Sequence, residues 1–229
     1  MSLASAEPSA SAAPQSQTAA EAARYALLRR LAPSMRHHLV VNLQPIGMIY
    51  EVMDRRLRAP EPDLGTVHDS AQKINGFARA ALNSCLDVVS WLAPEEGVPT
   101  TVADGVRECA SLLATSLSFR GYALRNEVGP IEGQVRRAAI RNMLTATLIH
   151  ATDGHPPAAD LQLTAETLAR GVRLTLTLKP TSGDTGFATE TGYRQLEWAD
   201  IEALAAAEGV EIERDGTRCI RLMIPWYRG

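Results

Sequence analysis

Apolar residues recur every three or four positions from Leu28 to Leu92, with one interruption, and that repeat restricts what the chain can fold into. Leu28, Leu31, Met35, Leu39, Leu43, Ile46, Tyr50, Met53 and Leu57 form one stripe of a long amphipathic helix. The segment RAPEPDLG (58–65) contains prolines and a glycine and reads as a turn. From Thr66 to Leu92 the positions Val67, Ala71, Ile74, Ala78, Ala81, Cys85, Val88 and Leu92 alternate spacings of four and three, which is a heptad seam. Two long helices joined by a short turn make an antiparallel hairpin. Such a hairpin buries one seam by itself, so pairing two of them into a four-helix bundle predicts a homodimer. The alternative is that the hairpin packs on the rest of its own chain.

The pattern changes after a linker, residues 94–101. Val102 to Phe119 predicts a helix, Tyr122 to Val128 a strand, and Gln134 to Ala151 a second helix. Residues 160–178 alternate apolar and polar around Ala169-Arg170-Gly171, the mark of a β-hairpin. A Gly/Thr-rich loop (182–192) leads to a helix over 197–208 and a closing hairpin over 210–226, turning at Asp215-Gly216. The reading is an α+β domain with an antiparallel sheet on one side and helices on the other. The expected organisation is a disordered Ala/Ser/Pro-rich leader (1–18), a helical hairpin (19–93), the linker, and an α+β domain (102–229).

Composition excludes several classes. The net charge of −3 and the scattered basic residues give no nucleic-acid surface. No apolar run approaches the roughly 18 residues of a membrane span, and the leader lacks the basic and apolar regions of a secretory signal. Cys85, Cys109 and Cys219 are far apart and form no metal-binding cluster, so neither zinc nor a disulfide is expected. The chain reads as cytoplasmic, with no membrane or nucleic-acid partner.

Within the first helix two histidines are adjacent. At about 100° per residue, His37 falls opposite the stripe and His38 on its flank. Val41, Gln44 and Met48 share the outer face with His37. An apolar rim around an outward imidazole suits a docking surface, and a neutral imidazole is a nucleophile able to accept a phosphoryl group. Pro45 removes the amide that would bond the Val41 carbonyl, which predicts a local bend. Taken alone, the two histidines read as ordinary surface residues.

Arg36-His37, Leu39, Leu43-Gln44 and Ile46 resemble the phosphoacceptor box of one group of sensor histidine kinases and of sporulation-type histidine phosphotransferases, R-H-D-x-x-N-x-L-Q-x-I. The family's acidic residue is His38 here, and its asparagine is Val41. Residues 99–128 resemble the opening helix and strand of the kinase ATP-binding domain, a Bergerat-type fold. Residues 136–151 resemble its N-box helix, with Asn142 and His150 at flanking positions and Ala146 where the family has its magnesium-binding asparagine. The D-x-G-x-G box over adenine is matched by Asp184 and Gly186, with Ala188 at the second glycine; of the Gly-rich lid only Gly192 remains. The resemblance implies a dimeric hairpin followed by a degenerate α+β sandwich of histidine-kinase ATPase type. An alanine cannot coordinate a cation, so no cofactor and no metal is expected.

The function so implied is phosphotransfer between response-regulator receiver aspartates through His37, without ATP. His38 is a neighbour or alternative acceptor, and Arg36, Val41, Gln44 and Met48 are partner contacts. A non-enzymatic scaffold that binds a kinase or receiver through the same hairpin is the rival, and an ATP-dependent kinase a third reading.

Overall fold

The computed structural model describes residues 12–93, 97–187 and 192–229. The expectations for residues 1–11 of the leader and for Ala188 lie outside these. In chain order the elements are α1 (Ala12–Leu57), α2 (Leu64–Leu92), β1 (Pro99–Thr101), α3 (Val102–Phe119), β2 (Tyr122–Asn126), β3 (Gln134–Arg136), α4 (Arg137–Asp153), β4 (Ala159–Leu168), β5 (Gly171–Pro180), α5 (Trp198–Glu208), β6 (Glu211–Asp215) and β7 (Cys219–Pro225). The architecture is a helical hairpin followed by an α+β domain. The chain divides into two compact units: one takes the chain up to Arg30 and from Glu96 to Gly229, and the other is Leu31–Glu95.

In the hairpin unit, α2 starts at Asp63, whose carboxylate accepts from the amides of Gly65 (2.9 Å) and Thr66 (3.4 Å). That satisfies amides which lack a partner inside the helix. Helix α1 starts at Ala12, inside the segment expected to be disordered to Thr18. Alanine has the highest helix propensity, and Pro14 sits in the first turn where no amide is required. The helix runs on through Pro33 and Pro45.

The expected stripes divide in two. On α1 Leu31 and Met35 are buried and His38, Leu39, Asn42, Pro45, Ile46, Ile49 and Met53 half-buried, whereas Leu43, Tyr50 and Leu57 are exposed. On α2, Val67, Ile74, Ala81 and Val88 are at least partly buried, whereas Ala71, Ala78, Cys85 and Leu92 are exposed, with Leu82, Leu86 and Val89 beside them. Each helix therefore has one covered edge and one apolar edge left in solvent. A two-helix hairpin covers only one edge of each seam. The Asn42 amide bridges the helices, donating from Nδ2 to Ser84 Oγ at 3.0 Å.

In the α+β unit the sheet order is β2-β4-β5-β7-β6. One face carries alternate buried residues, Leu161 and Leu163 on β4, Val172, Leu174 and Leu176 on β5, and Ile220, Leu222 and Ile224 on β7. Helices α3, α4 and α5 supply the rest of the core through Val106, Cys109, Leu113, Ile140, Leu144, Leu148, Ile201 and Leu204. Gly105 lets α3 approach α4, since a Cβ there would lie 2.6 Å from Ile140 Cγ2. The other face is polar and laced with ion pairs, Arg125–Asp160 (2.6 Å) and Arg173–Glu166 (2.8 Å) among them.

Two expectations are corrected. The sheet is mixed, because β2 pairs β4 in parallel; a crossover through a helix, here α4, returns the chain in the same direction. Residues Gln134–Arg136 form a strand paired with Pro99–Thr101, so the helix begins at Arg137 and the end of the linker is part of a small sheet. Three-residue strands carry too few alternations to be read from pattern.

Candidate functional site

The outer face of α1 carries Arg36, His37, Val41, Gln44 and Met48, all exposed, at steps of four, three and four from His37. Val41 is 50% and Met48 63% exposed, with Val40 and Val52 beside them. His38 is half-buried, and its ring meets that of His37 edge-on at 6.3 Å between centroids. One turn on, Asn42 Nδ2 donates to the His38 carbonyl (3.1 Å) as well as to Ser84 Oγ, and Ser84 Oγ donates to Ala80 O (3.0 Å). This network fixes the helix pair just below the histidines. The arrangement offers a solvent-facing imidazole on a held helix, ringed by apolar side chains.

The residues that resemble nucleotide boxes sit in the α+β unit with other partners. Asn142 donates from Nδ2 to Glu208 Oε1 at 2.8 Å. The Glu208 carboxylate is buried and also receives Arg24 Nη2 at 3.1 Å, while Arg136 donates to the Glu208 carbonyl. Ala146, one turn on, is fully buried. His150 contacts the Leu196 carbonyl through Nδ1 at 2.7 Å, which places the proton on that nitrogen because a carbonyl only accepts. Its ring packs on Trp198 at 5.8 Å.

Asp184 Oδ1 accepts from the Gly186 amide at 3.1 Å, a local turn. Gly186 has φ +58°, and a Cβ there would lie 2.5 Å from Phe119 O and Gly121 N. The turn therefore lies directly on the α3–β2 junction. Beside it is a cleft of about 370 Å³ lined by Arg120, Tyr122, Thr152, His155, Thr185 and Phe187 among others. Tyr122 donates to the His155 carbonyl at 2.5 Å; burial raises its hydroxyl pKa, against the pull of the Arg120 guanidinium. Among the described residues no three His, Cys, Asp or Glu side chains cluster as metal donors. No described helix is long and apolar enough to cross a membrane.

Sequence reasoning missed the anchoring residues of the first α1 turns. Ala20, Ala23 and Leu27 are buried, Arg24 pairs with Glu208, and Arg30 makes a bidentate pair with Asp153 at 2.5 and 2.7 Å. Asp153 also receives Arg120 (3.3 Å) and the Leu196 amide (3.3 Å). The legible signal was the spacing of Ala20, Ala23, Leu27 and Leu31, which extends the stripe back from Leu31 through Leu27 rather than Leu28.

No family model matches the chain, and no curated protein matches it. Solved structures resemble it at low identity. The histidine kinase AdeS of Acinetobacter baumannii is 14% identical over 79% of this chain and 96% of its own, with a TM-score of 0.44. A histidine kinase from Burkholderia phymatum STM815 is 15% identical over 90% of this chain and 98% of its own, also at 0.44. The histidine kinase ThkA, solved in complex with the response regulator protein TrrA, is 14% identical over 90% of this chain and 63% of its own, at 0.43. At this level the likeness concerns the fold alone.

Proposed function

We propose that this protein is a histidine phosphotransferase that relays a phosphoryl group between response-regulator receiver aspartates through His37, without using ATP. The observation that carries the reading is the state of Asn142. Its amide is committed to the buried Glu208 carboxylate, which Arg24 also holds, and Ala146 beside it has no cation-binding group. A triphosphate would bring negative charge against that carboxylate without a metal to offset it. His37 remains exposed on a helix edge with Val41, Gln44 and Met48.

In the reaction a neutral His37 nitrogen attacks the phosphorus of a receiver's aspartyl phosphate. The N–P bond forms as the P–O bond to the aspartate breaks, and the carboxylate leaves with the electron pair. The receiver supplies the charge compensation; Arg36 and the apolar rim orient it. His38 is the alternative acceptor. The exposed edges of both helices, Leu43, Tyr50 and Leu57 with Leu82, Leu86, Val89 and Leu92, pair with a second copy in a four-helix bundle. The reducing cytoplasm is the proposed compartment, supported by three unpaired cysteines.

The test is incubation with a panel of phosphorylated receiver domains, read as acid-labile phosphate on this chain. Label lost in His37→Ala supports the relay. Label kept there and lost in His38→Ala moves the acceptor. Binding without label in any case favours the scaffold.

A further inference from the structure

A second cleft, of about 490 Å³, lies where β7 leaves the sheet, lined by Arg136, Arg170, Arg228, Met223, Trp226 and Tyr227 among others. Of the residues matched to the phosphoacceptor and nucleotide boxes, His37, Asn142, Ala146, His150, Asp184 and Gly186 lie outside the lining, and Arg136 alone of the N-box-like segment is in it. Its size falls within the roughly 300–1,000 Å³ of small-molecule sites. Three arginines line it against one lining carboxylate, Glu211, which Arg170 holds at 2.6 Å, and Arg136 Nη1 lies 3.9 Å from the Glu208 carboxylate outside the lining. That local positive surplus stands out on a chain of net charge −3.

The aromatic part of the lining is fixed by the backbone. The Trp226 indole donates from Nε1 to Leu168 O (3.1 Å), and its amide donates to Arg170 O (3.1 Å). The Tyr227 amide donates to Gln134 O at 2.7 Å. Gly133, at φ +111°, lies against the Trp226 ring, where a Cβ would be 2.9 Å from Cζ3. Arg136 is anchored on the Glu208 carbonyl. The aromatic rings and Arg136 are thus held before a ligand arrives, which favours binding. Guanidinium forks match phosphate oxygens in bidentate fashion, and aromatic rings offer stacking area to a planar group.

We propose that this cleft binds a phosphate carried on a planar ring, the chemistry of a mononucleotide. The proposal stands independently of the phosphotransfer reading. It is tested by calorimetric titration of the full chain with AMP and GMP, with adenosine as the ring-only probe and inorganic pyrophosphate as the phosphate-only probe. AMP or GMP binds, and both partial probes bind at least about tenfold more weakly, since either half of the recognition is then missing. The doubly substituted Arg170→Ala/Arg228→Ala chain, changed only at exposed side chains, binds at least about tenfold more weakly again. Asp184→Asn, which probes the other place a nucleotide could sit, leaves the affinity as it was. No binding of either nucleotide at about 1 mM overturns the proposal. So does pyrophosphate binding as tightly as the nucleotides, or affinity lost in Asp184→Asn and kept in the arginine variant.

Discussion

The Arg30–Asp153 pair is the sharpest test of how α1 is held. Its side chains are 6% and 4% exposed, and the contact is bidentate at 2.5 and 2.7 Å. Replacing Asp153 by alanine strands two arginines. Arg120 keeps Thr152 Oγ1 and the Thr152 carbonyl, each at 3.1 Å, but among the described residues Arg30 keeps only Arg194 O at 3.3 Å. An uncompensated buried charge costs about 3–5 kcal/mol, a large share of a domain's roughly 5–15 kcal/mol. Arg30→Met is milder, about 1–3 kcal/mol, because Asp153 retains Arg120 and the Leu196 amide. The two changes combined fall short of their sum, with a coupling of roughly 1–3 kcal/mol. Urea unfolding followed by tryptophan fluorescence measures all three, and Trp198 and Trp226 report on this unit. If both single variants lose less than about 1 kcal/mol, the pair behaves like an exposed one. The first turns of α1 then do not belong to the α+β unit in the way described.

Other consequences are open to measurement. Burial raises the Glu108 carboxyl, but hydrogen bonds from Arg141 and Arg137 outweigh it and hold it below the usual range. Its folded value being depressed, the stabilisation is complete above the unfolded value of about 4.3 and lost as pH falls through the folded one. Glu108→Gln is therefore about 1–2 kcal/mol less stable at pH 7, and the gap closes below about pH 4; a gap that stays constant with pH removes the ionic argument. Gly186→Ala forces a Cβ to 2.5 Å from Phe119 O at positive φ, which costs about 1–3 kcal/mol in thermal unfolding. Leu86→Asp puts a charge on the uncovered edge of α2 and turns the proposed dimer into a species of 24.7 kDa by light scattering, whereas an unchanged mass in both chains argues against pairing through that edge.

Much of the fold was written in periodicity. The long helices, the β4–β5 hairpin and α5 all follow spacings of three and four or of two, which local geometry imposes. The mixed sheet was not legible, because strand direction depends on the crossover through α4 rather than on any residue in β2. The α1 stripe was legible in part: Leu31, Met35, Leu39, Ile46 and Met53 are covered at least partly, but Leu43, Tyr50 and Leu57 are not. A 3.6-residue helix shows the same spacing whether an edge is covered or bare, so Leu43 and Tyr50 could not be told from Ile49. In the site, the outward position of His37 followed from angle alone. Glu208 was invisible: at the end of a short helix it reads as a solvated residue, and its burial depends on Arg24, 184 positions away.

On the proposed reading, Glu208 also bears on the history of the chain. Restoring an asparagine at position 146 would not by itself revive a triphosphate site. Asn142 would still be tied to Glu208, and Glu208 to Arg24. Releasing Asn142 first strands a buried carboxylate, and removing Glu208 first deprives Arg24 and Asn142 of their partner. Each single step backward passes through a less stable protein, so loss of nucleotide chemistry is far easier to enter by mutation than to leave.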